Sequence, residues 1–449
     1  MNPTAATATD PAARFIGPGA WRHGLGYGLL GLPLAFVALP LYVILPNHYA
    51  REFGAPLAAL GAVLLGARLI DAVLDPWIGR WCDRLFARST RAVLAAAAVA
   101  AVVLALGLWG LLFPPPAVRS AGMAALLGWA GAVMAVTYTA YSVVSVAHQA
   151  WGARLGGSEA QRSRVVAWRE GLALVGVLLA AVLPGTLGLG ATVSAFAVLL
   201  ALGGWAWSRS LVPAAMAASP LPGAVPALSP LRQPAFLRLL AVFVLNGTAS
   251  AVPATLVLFF VQDRLQAPPA LEPAFLATYF LCAALSMPLW VKLVGRLGLA
   301  RTWLAGMGLS VAVFIWAATL GAGDTTAFLI VCALSGIALG TDLALPSALL
   351  AGLIGRLGER GQREGAYFGW WSFAAKLNLA LAAGLALPLL AWFGYTPGAR
   401  EPEALLTLTI AYCLLPCALK LLAAGALYGL VIRPERRAAA SRLVHTPVS

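Results

Sequence analysis

Two aspartates, Asp71 and Asp75, stand four residues apart inside the otherwise apolar stretch 68–76. Residues at this spacing share one face of a helix, so both carboxylates are predicted to point the same way. A carboxylate in a lipid-spanning helix is unfavourable unless it faces the protein interior, a partner or an ion. The pair is therefore the first candidate site, and its predicted chemistry is the binding of a cation or a proton.

Pro76 offers a third oxygen to this site. Proline has no N–H group, so the carbonyl of Ala72 loses its helical partner and is available as a neutral ligand. Na⁺ needs several oxygen ligands, whereas two close carboxylates with few other ligands share a proton. We predict H⁺ or Na⁺ as the coupling ion and favour H⁺. Alternatively, Asp75 only sits at the membrane interface near Arg80.

The elements that position this pair are membrane-spanning helices. The chain is 61% hydrophobic and 10% charged, and apolar runs of about 20 residues, each able to cross a bilayer, recur along it. We predict spans at about 26–48, 57–79, 92–114, 122–148, 166–188, 191–208, 236–262, 271–292, 302–321, 325–350, 367–393 and 404–431. The division between the fifth and sixth spans is placed at Pro184 and Gly185.

The net charge of +14 has an arrangement that predicts membrane topology. Arginines cluster in alternate loops, which by the positive-inside rule predicts cytoplasmic termini and a multi-pass protein of the cell (inner) membrane. This pattern explains the charge without a nucleic-acid partner. The five cysteines have spacings that suit neither a metal site nor a disulfide framework.

Internal repetition predicts two related halves. At one constant offset, Pro76 matches Pro288, Arg80 matches Lys292, and Arg84 matches Arg296. These matches fit parallel repeats with a solute site between them near the bilayer midplane. The predicted fold class is thus an all-α membrane protein with twelve transmembrane helices in two pseudo-symmetric six-helix bundles.

Five segments follow from this fold. We predict a disordered cytoplasmic tail at 1–25, a first bundle at 26–209, a proline-rich cytoplasmic linker at 210–234, a second bundle at 235–432 and a cytoplasmic tail at 433–449.

Several stretches carry a family resemblance. The stretch 68–76, followed by Gly79 and by Asp83 and Arg84, resembles the second-helix signature of the glycoside-pentoside-hexuronide:cation symporters. This is the melibiose-permease-like branch of the major facilitator superfamily. Stretches 138–169 and 361–376 are similar to the family as well, and 24–50 more loosely.

The resemblance implies roles for individual residues. It implies that Asp71 and Asp75 bind Na⁺, Li⁺ or a proton, and that Arg169 and Lys376 lie near the solute. The chain departs from the family where melibiose permease has acidic residues in its first and fourth spans. It also has Arg154 where the family usually has Glu. These departures argue against melibiose as the solute.

A different polar set is available for the solute. Asp342 is a third intramembrane carboxylate, and its alternative interpretation is a packing salt bridge to Lys376 or another basic group. Arg169 and Lys376 favour an acceptor-rich or anionic solute if they face the cavity. The alternative for Arg169 is an ion pair with the adjacent Glu170.

The remaining solute candidates are weaker. They are Asn246, Tyr138, Tyr141, Trp371 and His148. Interfacial aromatic belts explain the tyrosines and the tryptophan equally well. A packing role explains the histidine, although its ordinary pKa would suit proton coupling.

A charge motif follows the second span and predicts a gate. Asp83 lies between Arg80 and Arg84, and Arg296 and Arg363 occupy related loops. We predict that they form a cytoplasmic network that breaks when the halves rock. The alternative is that the arginines only set the topology, which would leave Asp83 unexplained.

These observations predict a secondary transporter that couples a small polar, sugar- or glycoside-like solute to a cation gradient. The alternative within transport is a proton-coupled exporter, or a carrier of an amphiphilic, lysolipid-like or anionic solute. No catalytic motif is visible, so we predict no enzymatic activity, no cofactor and no bound metal. The predicted partners are the solute, the coupling ion and the lipid bilayer, and we expect a monomer.

Overall fold

The structure is a computed structural model that describes residues 10–214 and 228–434, which are almost entirely helical. The long helices are α1 Ala20–Glu52, α2 Leu57–Arg88, α3 Thr90–Leu112, α4 Met123–Arg154, α5 Glu159–Ser208, α6 Pro234–Arg264, α7 Pro269–Leu297, α8 Leu299–Ala317, α9 Thr325–Arg356, α10 Glu364–Trp392 and α11 Pro402–Ile432. Short helical turns interrupt α1 and α11, end α6 and begin α7.

The lengths and composition of the described helices are consistent with twelve membrane crossings. Ten of these helices are long and apolar enough to span a membrane, and α2, with 32 residues, is counted as a further crossing on its length. Helix α5 has 50 residues and would be about 75 Å long, more than twice the thickness of a hydrocarbon core. It breaks at Gly188, where φ is 80° and ψ is 171°, and so provides two crossings. The predicted break at Pro184 and Gly185 is therefore displaced by one turn.

The start of α5 is fixed by a capping box. The Ser158 side chain accepts a hydrogen bond from the Gln161 backbone N–H at 3.4 Å, and the Gln161 side chain accepts one from the Ser158 backbone N–H at 2.7 Å. Two N–H groups that the helix cannot satisfy internally thereby gain partners.

The described residues form two compact units. The first unit comprises the chain up to Pro230 together with Ile354–Phe373, and the second comprises Leu231–Leu353 and the chain from Ala374 onward. The predicted bundles 26–209 and 235–432 differ from this division in one respect. The end of α9 and the start of α10 pack with the first unit, because side chains of α2 and α4 bind the N-terminus of α10.

Part of the predicted disordered tail 1–25 is ordered. The Ala12 backbone N–H donates to the Leu155 carbonyl at 3.2 Å, and Arg360 pairs with Asp10 at 2.8 Å. These bonds hold the turn Pro11–Phe15 against the first unit, and α1 begins at Ala20. The rest of the tail, residues 1–9, lies outside the described residues, as do 215–227 of the predicted linker and 435–449 of the predicted C-terminal tail.

Candidate functional site

One face of α2 carries the two predicted cation ligands. Asp71 is 2% exposed and Asp75 is fully buried. On the opposite face, Leu69, Ile70 and Val73 are each more than half exposed. The apolar side chains therefore form the outer face of the helix, and both carboxylates point into the protein.

The Asp71 carboxylate lies among hydroxyl groups. Ser142 of α4 donates a hydrogen bond to Asp71 Oδ1 at 2.8 Å. The rings of Tyr42 and Tyr138 lie 5.8 Å apart next to it, and the Arg68 guanidinium stacks over the Tyr42 ring at 4.4 Å. One hydroxyl donor and a nearby guanidinium are thus part of the surroundings of this carboxylate, and its role as a cation ligand stays a prediction.

Arg169 lies in the same unit and pairs with its neighbour in sequence. Its Nη2 lies 2.5 Å from Glu170 Oε1, and its Nε lies 2.9 Å from the same oxygen. The guanidinium also contacts the Tyr27 phenol. The ion pair with Glu170 is the alternative that the sequence offered for Arg169. The Tyr141 hydroxyl lies close enough to Asp71, Asp75 and Glu170 for their charges to act on it.

His148 holds two helices together. Its Nε2 lies 2.8 Å from the Tyr27 carbonyl oxygen, and the Tyr27 hydroxyl donates to the His148 carbonyl at 3.0 Å. The two rings are 4.4 Å apart, and His148 is fully buried. This geometry corresponds to the packing interpretation of the histidine.

A buried charge cluster joins α2, α4 and α10 within the first unit. Arg154 Nη2 lies 2.9 Å from Asp83 Oδ1 and 3.0 Å from Glu364 Oε2. Its Nη1 donates to the Gly361 carbonyl at 2.7 Å. The three charged residues are at most 8% exposed. We call this cluster of Asp83, Arg154 and Glu364 the latch.

Asp83 also caps a helix of the later part of the chain. Its carboxylate accepts hydrogen bonds from the backbone N–H groups of Gly365 at 2.7 Å and Ala366 at 2.8 Å. These N–H groups belong to the first turn of α10, where they have no helical acceptor and where the helix dipole favours a negative charge.

Glycines let α2 and α10 approach closely. A Cβ atom on Gly369 would lie 2.5 Å from the carbonyl oxygen of Asp75. A Cβ on Gly365 would overlap the Gly79 backbone, and one on Gly79 would overlap the Gly365 backbone. Small residues of this kind permit direct contact between transmembrane helices.

The other predicted gating residues take different positions. Arg363 pairs with Glu359 at 2.8 Å, and Arg84 and Arg296 are exposed while Arg80 is half-buried. The expected network around Asp83 is thus formed with other partners. The sequence interpretation treated Arg154 only as a departure from the family, yet Arg154 contacts both buried carboxylates.

Asp342 of the second unit accepts four hydrogen bonds. Oδ1 accepts from Asn246 Nδ2 and Trp303 Nε1, both at 2.9 Å. Oδ2 accepts from Ser250 Oγ at 3.0 Å and from Lys420 Nζ at 2.7 Å. Both lone pairs of each oxygen are therefore occupied.

Lys420 is the basic partner of Asp342 that the sequence left unidentified. Its ammonium group also donates to Asn246 Oδ1 at 3.0 Å. The salt bridge expected for Asp342 thus forms with Lys420 of α11. Lys376 of α10 also belongs to the second unit, where its side chain is half-buried. Trp371 is 4% exposed and lies in the first unit. Asp71 and Asp342 belong to different units, so their predicted convergence on one cavity stays a prediction.

Comparisons with known proteins identify similar sequences and folds. A family model described as MFS/sugar transport protein matches residues 25–432. A bacterial homologue of the iron transporter ferroportin, in an outward-facing state, has a TM-score of 0.69 at 16% identity, covering 91% of this chain and 98% of its own. A search of curated proteins finds no match.

Two further solved structures share the fold. The E. coli fucose:proton symporter has a TM-score of 0.63 at 15% identity, over 88% of this chain and 98% of its own. The human organic anion transporter has a TM-score of 0.57 at 18% identity, over 92% of this chain and 100% of its own. Identities this low establish the fold alone.

Proposed function

The chain belongs to the MFS/sugar transport protein family and has the major facilitator fold, and from this premise we propose that it is a cation-coupled secondary transporter. The solute is small and sugar- or glycoside-like, and alternating access moves it together with the cation. The proposal depends above all on the burial of Asp71 and Asp75 on one face of α2. Buried carboxylates in spanning helices mark ion pathways and proton relays.

The proposed coupling ion is a proton. Two carboxylates at i and i+4 in a low-dielectric site repel each other when both are ionised, and one bound proton removes the repulsion. Ser142 supplies one hydroxyl donor to Asp71, which supports a site that stabilises a single remaining negative charge. A sodium site would need several oxygen atoms converging at coordination distance.

The proposed location is the cell (inner) membrane, with both termini in the cytoplasm. This orientation places the latch on the cytoplasmic side, where it ties the start of α10 to α2 and α4. We propose that these contacts break when the transporter opens toward the cytoplasm. The positive-inside arrangement of the loop arginines supports the orientation.

The proposal is tested by replacing each carboxylate with an amide in protein reconstituted into liposomes. Asp71→Asn and Asp75→Asn keep the side-chain shape and remove the charge, so we expect gradient-driven accumulation of the solute to be lost. The measurement is uptake driven by a pH gradient at constant Na⁺, with a protonophore added in a parallel sample.

The matched control is Asp324→Asn, which changes an exposed aspartate in a turn. Full coupled uptake by both α2 variants would refute the assignment of the site. Strict Na⁺ dependence without any response to the pH gradient would replace the proton by Na⁺ and leave the carboxylate assignment in place.

A further inference from the structure

The second unit contains a cavity of about 300 Å³. Segments of five helices line it: α6, α7, α8, α9 and α11. Its volume is at the lower end of the range for small-molecule sites, which are mostly apolar with a few placed polar groups. The residues that line the cavity all belong to the second unit, and the α2 carboxylates are not among them.

The wall of the cavity is largely apolar and aromatic. Phe275, Leu276, Phe280, Phe314 and Val257 contribute to it. A soluble sugar would leave most of its hydroxyl groups without partners on such a wall, which is unfavourable. A flat apolar body would instead be stabilised by contact with the aromatic rings.

Donors dominate the polar part of the lining. Lys420 has three ammonium hydrogens, and the described residues accept two of them, through Asp342 Oδ2 and Asn246 Oδ1. Tyr279 and Tyr412 also line the cavity. Neither phenol has a hydrogen-bond partner within the described part of the chain, although buried tyrosine hydroxyls usually find one.

The carboxylate that lines the cavity already has hydrogen-bond partners. Asp342 lines the cavity and accepts four hydrogen bonds from protein groups. The Asp342–Lys420 pair is also electrically neutral. A ligand therefore meets donors without a net charge to balance its own, and this combination suits an uncharged acceptor.

We propose that the second unit binds an uncharged, largely apolar solute with a ring-containing body and a carbonyl- or ether-type acceptor. The body lies against the aromatic wall, and the two lone pairs of the acceptor receive hydrogen bonds from the Tyr279 and Tyr412 hydroxyls. This site goes beyond the proposed sugar-like solute and does not depend on coupling to a proton.

Three two-ring probes test the proposal by equilibrium binding to the purified full-length protein in nanodiscs. The first, 2-acetylnaphthalene, carries a carbonyl acceptor. The second, 2-isopropenylnaphthalene, has the same shape and lacks the acceptor, and the third, 2-naphthoate, is an anion. We expect saturable binding of the ketone at least about tenfold tighter than that of the other two, because two hydrogen bonds contribute.

Variants locate the binding. Tyr279→Phe and Tyr412→Phe remove a hydroxyl and keep the ring, so each is expected to weaken ketone binding about three- to tenfold and leave the isopropenyl compound unchanged. Tyr428→Phe changes an exposed tyrosine outside the cavity lining and is expected to bind as the unmodified protein does. Ser335→Phe fills the cavity and is expected to abolish saturable binding.

The proposal would be overturned by no saturable binding of the ketone, by equal affinity for the ketone and the isopropenyl compound, or by unchanged binding by Ser335→Phe. The last result would place the probes in the surrounding lipid. Tighter binding of 2-naphthoate than of the ketone would overturn the uncharged class. The assay uses no ion gradient and is repeated with Asp71→Asn protein, so its failure leaves the coupling proposal untouched.

Discussion

The Asp342–Lys420 pair shows how single residues tolerate charge inside a membrane domain. The Lys420 side chain is 6% exposed and that of Asp342 is 12% exposed, so water screens their interaction only weakly. Buried pairs of this kind contribute little net stability, but removal of one partner leaves an uncompensated charge. The pair is therefore sensitive to single substitutions and tolerant of paired ones.

We expect Lys420→Met to destabilise the protein by about 3 kcal/mol, because the Asp342 carboxylate loses its counter-charge. Addition of Asp342→Asn removes that charge while its amide oxygen still accepts from Asn246 and Trp303, so most of the loss is expected to be recovered. The measurement is the free energy of unfolding in mixed micelles titrated with SDS. Equal losses in the single and the double variant would show that the two residues are not coupled.

Some of these residue-level contacts could be predicted from the sequence and others could not. The spacing of Asp71 and Asp75 is local, so the helical period alone places both on one face. Asp71 pairs with Ser142, which lies 71 residues further along the chain, and Asp342 pairs with Lys420, which lies 78 residues further along. Such contacts depend on which helices are neighbours, and one sequence without homologues does not contain that information.

At the scale of elements, the latch connects three helices through one guanidinium. Arg154 presents a planar group whose Nη1 donates to the Gly361 carbonyl and whose Nη2 donates to Asp83 and forms an ion pair with Glu364. A lysine ammonium has the same charge and lacks this fork. The N-terminus of α10 is thus positioned by geometry as well as by charge.

We expect Arg154→Lys to lower the melting temperature and the transport rate, because one ammonium group cannot hold all three acceptors in the same positions. The loss of stability should be about 1–3 kcal/mol, as for a buried hydrogen bond left unmade. Arg88→Lys, at the exposed end of α2, is the matched control. A melting temperature equal to that of the control would contradict the latch.

The glycine contact between α2 and α10 gives a second test at this scale. Gly365→Ala places a methyl group against the Gly79 backbone and the Asp83 carboxylate, so the helices must separate, and we expect a destabilisation of about 1–3 kcal/mol. Gly384→Ala lies on the same helix and meets nothing within 4 Å. Thermal unfolding followed by tryptophan fluorescence compares the two. If Gly365→Ala is as stable as Gly384→Ala, the close approach does not exist in the membrane.

At the scale of the molecule, the predicted family and fold class are confirmed. Composition and repeated apolar runs suffice for the helical membrane class, because a bilayer permits few architectures, whereas the family follows from the resemblance of stretches such as 68–76. The division into units was less predictable. The first unit includes Ile354–Phe373, and this depends on the glycine contacts and on the latch, neither of which hydropathy reveals.

This division predicts the behaviour of a chain cut after Ala218. The fragment 1–218 alone should be degraded or aggregate, because Asp83 and Arg154 lose partners supplied by 361–366. Co-expression with 219–449 should restore a folded, transporting complex, measured by size-exclusion chromatography and uptake. The isolated fragment with Asp83→Leu and Arg154→Leu serves as the control and should accumulate to higher levels. Equal accumulation of fragment 1–218 with and without the two leucine substitutions would contradict this account.

Proton binding beside Asp71 and Asp75, the two buried carboxylates of α2, would also have an electrical consequence. One bound proton adds one positive elementary charge to the site, whatever charge the surrounding groups carry. The membrane potential is worth about 2.3 kcal/mol per elementary charge at 100 mV, so it acts differently on the loaded and the empty carrier. An inside-negative potential favours inward movement of the loaded site relative to the empty one, so voltage would add to the pH gradient as a driving force.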